Sequence, residues 1–226
     1  MQQYRIETHM HTSETSACAA IPGEEIVRLY KQRGYDTVII TDHFHPRFVR
    51  SHAGLSWQEK VERYLAGFRA AAAEGSRIGV HVILGMELRF TEGPNDYLVY
   101  GFHEDFLFNN PDLHELGLKR FRGLTLPHGI RIYQAHPFRK GMQLADPALI
   151  DGIEVFNGNV QHDSGNSTAK AYAEQQGLAM ISGSDAHWEE DLGNGGLVSP
   201  RPVTTREELV ELLISGDYQL LGDWSS

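Results

Sequence analysis

Histidine and carboxylate side chains recur in short motifs along this 226-residue sequence. The first motif is His9-Met10-His11, a later one is Asp42-His43, and the last is Asp185-Ala186-His187. Two imidazoles two residues apart on extended backbone point to the same side and can chelate one cation. Imidazole combined with carboxylate suits Zn, Fe or Mn rather than Mg or Ca. The motifs therefore predict a site for divalent metal ions.

Segments with the hydrophobic pattern of strands precede these motifs and alternate with segments of helical period. The predicted strands are 5–7, 36–41, 81–87, 97–102, 130–135, 152–156 and 178–182, with a short final strand at 218–221; the predicted helices are 22–33, 57–74, 166–176 and 204–214. Alternating strands and helices indicate an α/β fold with a mainly parallel sheet. About seven such units favour a closed or nearly closed barrel, and a doubly wound open sheet is the second choice.

The carboxyl ends of parallel strands meet on one face, where functional groups of α/β proteins collect. Each predicted strand except the short last one ends on or leads to ligand-type residues: His9 and His11, His43, Glu87, His103, His136, Glu154 with Asn157, and Asp185 with His187. A single histidine in a strand is usually a core residue, but the repeated coincidence favours a common site. His45 either supports that site or is merely exposed. We interpret the other histidines as unrelated to it: His52, His81, His114, His128 and His162.

Bulk composition narrows the class of protein. The hydrophobic content of 41% and charged content of 22% are ordinary for one globular domain, here residues 1–226. The net charge of −10 argues against binding long nucleic acid, which usually needs a basic surface, and favours a small substrate. Neither a membrane span nor a signal-peptide pattern is visible, and Cys18 is the only cysteine, so a cytoplasmic protein without an internal disulfide is expected. The oligomeric state stays open.

The motifs resemble those of the polymerase-and-histidinol-phosphatase (PHP) family. The matching segments are ETHMHT (7–12), ITDH (40–43), GME (85–87), YGFH (100–103), AHP (135–137) and GSDAH (183–187), in the family's order. The resemblance implies a distorted (β/α)7 TIM-like barrel that holds two or three divalent metal ions. It implies that His9, His11, Glu87 and Asp185 bind the first metal.

By the same resemblance, Glu87 bridges to a second metal bound by His103 and His136, and His43 and His187 bind a third. The family usually adds one more His, Asp or Glu shortly after the first motif. The residue of that type in this sequence is Glu14.

The expected reaction is phosphate ester hydrolysis by a metal-bound hydroxide, formed from water held by Glu87, Asp185 and His187. We predict that Arg139, Lys140 and Arg89 bind the phosphate of a small substrate, because arginine offers paired donors to phosphate. A nucleotide, a sugar phosphate and histidinol phosphate all fit this expectation. A nuclease acting on short nucleic acid, amide or lactone hydrolysis, and a non-catalytic metal-binding barrel are the alternatives.

Overall fold

The computed structural model describes residues 2–224 as a mixed α/β structure built around one large sheet. Its strands are β1 (Tyr4–Glu7), β2 (Thr37–Ile40), β3 (His43–Phe44), β4 (His81–Arg89), β5 (Asp96–Tyr100), β6 (Arg131–Gln134), β7 (Gly152–Asn157), β8 (Ala179–Gly183), β9 (Gly196–Ser199) and β10 (Gln219–Leu221). Its helices are α1 (Gly23–Gln32), α2 (Pro46–Ser51), α3 (Trp57–Tyr64), α4 (Ala66–Ile78), α5 (Glu104–Asn109), α6 (Gly117–Thr125), α7 (Asn166–Gln176) and α8 (Arg206–Ser215). None of the helices within residues 2–224 has the length and apolar character needed to cross a membrane.

The ten strands follow the order β10-β9-β1-β2-β4-β5-β6-β7-β8, and the short β3 pairs with β4. The β1, β2 and β4 strands are parallel to one another, and so are β6, β7 and β8. By contrast, β5 runs antiparallel to both β4 and β6, and β9 runs antiparallel to both β1 and β10. The predicted α/β class is confirmed, although β5 runs opposite to the expected direction and β9 was not predicted.

The two ends of the sheet approach each other beside β8, so the barrel is nearly closed. Side chains rather than a backbone ladder link them: the amide of Gly196 donates to Ser182 Oγ at 3.1 Å, and the Tyr218 hydroxyl donates to the carbonyl of Met180 at 3.0 Å. The contact is close, because a Cβ added to Gly195 would lie 2.2 Å from the carbonyl oxygen of Gly183. Glycine at position 195 therefore allows the final approach of the sheet edges.

Apolar side chains fill the barrel interior. Alternate positions of the strands, such as Ile6, Ile83 and Ile181, are buried in one cluster with Leu209 and Leu212 of α8. Helix α8 packs near the Tyr100 end of β5, where a Cβ on Gly101 would meet Val210. This end of the barrel is thus closed by apolar residues, and the polar residues that could carry chemistry gather at the other end.

Candidate metal centre

The loops after β1 and β8 are bonded to each other and carry the first and last sequence motifs. Met10 and Ala186 form an isolated parallel bridge. The amide of His11 donates to the carbonyl of Ala186 at 3.0 Å, and the amide of Ala186 donates to the carbonyl of His9 at 3.3 Å. The two motifs lie 174 residues apart in the chain, between His11 and Asp185, yet they share one short stretch of backbone pairing.

Glu7 fixes these two loops from behind. Its buried carboxylate accepts the amides of His9 and Ser184, each at 2.9 Å, and the hydroxyl of Tyr30 at 2.8 Å. Burial raises the pKa of Glu7, while the donors from Ser184, His9 and Tyr30 act against that rise. Because one carboxylate bonds to both loops, it sets the distance between the motifs that they carry.

Side chains from both motifs and from neighbouring strands converge at this end of the barrel. Their nitrogen and oxygen atoms form four overlapping groups, within each of which the ligand atoms lie within 4.8 Å of one another. The groups are His9, His11 and Asp185; Glu87, Asp96 and His136; His11, His43 and His187; and His43, His45 and Glu87. Three of the four groups combine imidazole and carboxylate, the donor set that suits Zn, Fe or Mn. We call these nine residues the ligand cluster.

Glu87 occupies the centre of the ligand cluster, with one carboxylate oxygen on each side. Its Oε1 lies 3.1 Å from His136 Nε2 and 3.5 Å from His9 Nε2. Its Oε2 lies 3.5 Å from His11 Nε2 and in direct contact with His43 Nδ1. A carboxylate placed in this way can bridge two cations, the role that the family resemblance implies for Glu87.

The charge states of the metal-free protein reflect this crowding. Burial opposes ionisation of Glu87, but His43 and His9 outweigh it and hold the pKa of Glu87 well below its usual range. The pKa of Asp185 is likewise held well below its usual range, because His9, His11 and Arg139 outweigh burial. Burial acts to lower the pKa of His9, but the carboxylates of Asp185 and Glu154 outweigh burial and raise this pKa well above its usual value. Close imidazoles and carboxylates thus favour each other's charged forms, except at His11, where burial and the neighbouring His43 lower the pKa well below its usual value.

Glu154 holds the ring of His9 in one orientation. Its Oε1 lies 2.8 Å from His9 Nδ1, and its Oε2 accepts the amide of His136 and the side chain of Asn157, each at 2.9 Å. A ring that donates from Nδ1 leaves Nε2 as the free ligand atom. The arrangement therefore aims His9 Nε2 at Glu87 and Asp185. The sequence singled out Glu154 and Asn157 at the end of β7, and the structure brings both against the ligand cluster.

Several buried polar atoms of the ligand cluster lack a hydrogen-bond partner. Within residues 2–224, seven buried side-chain atoms have none, and five belong to the cluster: His9 Nε2, His43 Nδ1, His45 Nε2, Glu87 Oε2 and His136 Nδ1. His43 Nδ1 and Glu87 Oε2 touch each other but without hydrogen-bond geometry. Leaving a buried polar group unpaired costs about 1–3 kcal/mol, so such a concentration needs an explanation. Divalent cations fit the residues present, because they would satisfy unpaired atoms that lie between ligand-type groups, such as His9 Nε2 and Glu87 Oε2.

The backbone is also unusual at two of these residues. His136 has φ of 30° and Asp185 has φ of 49°, and they are two of the three non-glycine residues with positive φ among those described. Positive φ is unfavourable for residues with a Cβ and persists where the surroundings enforce it. At His136 the enforcing contact is the bond from its amide to Glu154.

Two predicted ligands do not reach the ligand cluster. Because β5 is antiparallel to β4, the Tyr100 end of β5 lies at the opposite end of the barrel, and His103 is exposed there beside Thr205 and Arg206 of the α8 start. Glu14 is exposed, and both of its carboxylate oxygens accept the amide of Gly23 at the start of α1, at 3.0 and 3.1 Å. The prediction that His103 and Glu14 are ligands is therefore corrected by their positions.

The same reversal brings Asp96 into the ligand cluster in place of His103. Asp96 is the first residue of β5, is 2% exposed and groups with Glu87 and His136. A signal for this was present in the sequence. Residues 90–95 are too few for the crossover that joins parallel strands and suffice only for a hairpin. His45, ambiguous in the sequence, lies 3.4 Å from Asp96 through its Nε2.

The cationic residues predicted for substrate binding are mostly engaged elsewhere. Arg139 donates to Asp185 Oδ2 and to Asn157 Oδ1, each at 2.8 Å. Arg89 donates through Nε to Asp96 Oδ1 at 2.7 Å, and its NH2 contacts the other oxygen. Lys140 is exposed. Both arginines therefore contact carboxylates of the ligand cluster, and their binding of a substrate phosphate stays a prediction.

The ligand cluster is only partly exposed to solvent. His9 and His11 are fully buried, whereas the side chains of His43 and His45 are 20% and 15% exposed. These two histidines line a cavity of about 620 Å³ together with Arg47 and Arg89. The cavity has the size of a small-molecule site and gives access to the cluster.

An α/β barrel with imidazoles and carboxylates gathered at one mouth is the arrangement of a metal-dependent hydrolase. The family model described as "PHP domain" matches residues 7–126, and a second model described as "PHP-associated" matches residues 163–218. The chain therefore belongs to the PHP domain family. This confirms the resemblance seen in the motifs.

Solved structures share the fold at low sequence identity. One is a two-domain protein of Bacteroides vulgatus that contains a predicted PHP-like metal-dependent phosphoesterase, with a TM-score of 0.67, 15% identity and coverage of 98% of this chain but 65% of that one. Another is PsfC from Pseudomonas syringae, with a TM-score of 0.66, 17% identity and coverage of 99% and 93%. A third is an amidohydrolase of Chromobacterium violaceum with bound sulfate and no metal, with a TM-score of 0.58, 16% identity and coverage of 98% and 99%. A comparison with curated protein sequences found no match.

Proposed function

We propose that the protein is a metal-dependent phosphoesterase that hydrolyses a small phosphate ester. The observation that carries the proposal is the ligand cluster with its five unpaired buried atoms at the mouth of a PHP barrel. Such atoms would be costly in a site that never holds cations. The Bacteroides vulgatus structure of this fold is described as containing a predicted PHP-like metal-dependent phosphoesterase, which supports the same reaction class.

The proposed ligand set follows the geometry of the ligand cluster. His9, His11 and Asp185 would hold one cation, and His136 and Asp96 a second, with Glu87 between them. His43 and His187 would hold a third, with His45 beside it. Two or three ions of Zn, Fe or Mn match these donors.

Bound divalent cations supply Lewis acidity: they lower the pKa of water and take up negative charge on phosphoryl oxygens. The protein's own residues then have four tasks. Glu87 and Asp185 provide negative charge that retains the cations. Glu154 keeps His9 in the tautomer that binds through Nε2, and Arg139 holds Asp185 in place. His43 and His45 form the boundary between the cluster and the substrate cavity.

The proposal is tested by measuring metal content and hydrolysis together. The purified protein is stripped with a chelator, reloaded with Mn, Fe or Zn, and assayed on a panel of phosphomonoesters and phosphodiesters. We expect turnover of phosphate esters that requires metal and is lost in a variant carrying His9→Ala and His11→Ala. Loss of metal in that variant without loss of phosphatase activity would overturn the proposal.

The same panel includes an amide and a lactone, since one structure with this fold is named an amidohydrolase. Turnover of these substrates without turnover of any phosphate ester would replace the proposed reaction by non-phosphate hydrolysis. A short labelled single strand of DNA tests the nuclease alternative. The net charge of −10 favours the small substrate over the nucleic acid.

A further inference from the structure

Arg47 is the uncompensated guanidinium of the cavity that borders the ligand cluster. It follows His45 by two residues, lies in the first turn of α2, and lines the cavity of about 620 Å³ with Phe48, His52 and Arg89. It is exposed, and among residues 2–224 it has neither an acceptor nor an acidic partner. An arginine that lines a cavity without a partner offers all of its donors to whatever enters.

The other two arginines near the ligand cluster are each paired with a carboxylate. Arg89 lines the same cavity, but its Nε and NH2 face the two oxygens of Asp96. Arg139 is held by Asp185 and Asn157. Each of these two positive charges is balanced by a buried carboxylate. Glu14 also lines the cavity, with its carboxylate on the amide of Gly23, and Arg47 is the guanidinium of this wall that has no carboxylate partner among the described residues.

The position of Arg47 in the chain places its charge near the ligand cluster. His43 and His45 belong to the ligand cluster and also line the cavity, and Arg47 lies in the first turn of the helix that follows them directly. A phosphoryl group at the cluster would therefore lie beside the wall that carries Arg47. A larger cavity of about 1000 Å³, lined by residues including Asn157 and His162, contains no member of the ligand cluster.

We infer that Arg47 binds a nonbridging oxygen of the substrate's phosphoryl group and selects phosphomonoesters over phosphodiesters. A phosphomonoester near neutral pH carries close to two negative charges and three nonbridging oxygens. A diester has one negative charge and two nonbridging oxygens. Once cations bind these oxygens, less negative charge and fewer acceptors remain for a guanidinium. Arginine matches phosphate geometry with paired donors. The inference rests on the proposed function.

The test compares Arg47→Ala with Arg50→Ala in the metal-loaded protein. Arg50 is an exposed arginine on the same helix and does not line the cavity. We expect Arg47→Ala to lower kcat/KM for p-nitrophenyl phosphate by about 10- to 100-fold, the effect of one charged hydrogen bond. The value for bis-p-nitrophenyl phosphate should change less than threefold, so the ratio between the two substrates falls. Arg47→Lys should recover part of the loss, and metal content should stay equal to that of Arg50→Ala.

A binding measurement separates failure of this inference from failure of the proposed function. Calorimetry with inorganic phosphate on the metal-loaded protein needs no turnover, and Arg47→Ala should weaken binding by about 10- to 100-fold. If the wild-type protein hydrolyses phosphomonoesters while Arg47→Ala keeps both its substrate ratio and its phosphate affinity, the inference is wrong and the function stands. If the wild-type protein hydrolyses only diesters, the inference is also wrong. Weakened phosphate binding with no ester turnover would support the inference and contradict the proposed reaction.

Discussion

Glu154 is fully buried and makes no proposed contact with a cation, yet three of its contacts reach proposed ligands or their neighbours. Through Oε1 it orients His9, and through Oε2 it binds the amide of His136, where the backbone has positive φ. Carboxylates behind metal-binding histidines are expected to affect affinity nearly as much as ligands do. Through these contacts Glu154 orients ligands of two neighbouring proposed metal sites.

We predict that Glu154→Gln weakens the affinity for Zn²⁺ by about 10- to 100-fold. The amide keeps the shape of the side chain, but its NH2 group cannot accept the bonds from His136 and Asn157. Titration against a competing chelator measures the affinity, and Glu174→Gln, an exposed site on α7, is the matched control. An affinity within twofold of the wild type would contradict the assigned role.

Cys18 is the second residue whose surroundings predict a measurable property. Burial acts to raise the pKa of its thiol, but contacts with His187 and His43 outweigh burial and lower it to about 6. The thiol is exposed, and because it is the single cysteine its reactions can be followed without ambiguity.

We predict that the pH dependence of Cys18 alkylation in the metal-free protein has its midpoint at about pH 6. An ordinary thiol has its midpoint at about pH 8.5. A lowered pKa means that the thiolate is present above that midpoint and is lost as the pH falls through it. The rate of reaction with iodoacetamide, measured from about pH 5 to about pH 9, gives this midpoint. His187→Ala should move it upward, and an unchanged midpoint in that variant would show that His187 does not stabilise the thiolate.

At the scale of elements, the direction of β5 decides which side chain reaches the ligand cluster. The hairpin at residues 90–95 turns the chain back, so that Asp96 enters at the cluster and the following residues leave it. His103 then precedes α5 at the other end of the barrel, in a position that shares a cavity with the start of α8. One reversed strand thus exchanges a histidine for an aspartate at the proposed second metal position.

We predict that Asp96→Ala lowers the metal content of the purified protein by about one ion, while His103→Ala leaves it unchanged. The reason is that Asp96 groups with Glu87 and His136, whereas His103 is exposed and outside the cluster. Elemental analysis of both variants, with circular dichroism to confirm folding, provides the comparison. Should His103→Ala lose metal and Asp96→Ala retain it, the assignment of the second metal position would be wrong.

At the scale of the whole molecule, the two loops that carry His9 and Asp185 come from opposite ends of the sequence. Their pairing, together with the side-chain bonds that link β8 to β9, closes the barrel around the ligand cluster. Buried carboxylates lie near one another at this closure, including Glu7, Glu87, Glu154 and Asp185. Cations that neutralise them would stabilise the closed barrel as well as act on a substrate.

We predict that chelation lowers the Tm of the protein. Metal that binds only the folded state at about 100 times its Kd contributes about 2.7 kcal/mol per site, and each kcal/mol corresponds to about 2–4 °C for a chain of this length. Differential scanning calorimetry of stripped and reloaded protein measures the shift. The doubly substituted His9→Ala, His11→Ala protein should show a smaller response to Zn²⁺; an equal response would place the stabilising ion elsewhere.

The assignment of residues 1–226 to one domain stays a prediction at this scale.

Much of the candidate site was predictable because its residue types are local in the sequence. His9 and His11 follow a strand, as do Asp185 and His187, and Glu87 lies near the end of one. Strand ends are read from the hydrophobic pattern. His136 and His43 were found in the same way. All seven of these residues lie in the ligand cluster.

Tertiary structure decided what depends on strand direction and on partners distant in sequence. The sequence alone determined the barrel class, the family and most residues of the ligand cluster, since periodicity and motifs are properties of neighbouring residues. The exchange of His103 for Asp96 required the direction of β5, which is set by pairing with β4 and β6. The roles of Arg139 and Arg89 required their bonds to Asp185 and Asp96, and the importance of Arg47 required the cavity wall. Whether a charged side chain is balanced or free depends on its neighbours in space, and spacing along the chain does not contain that information.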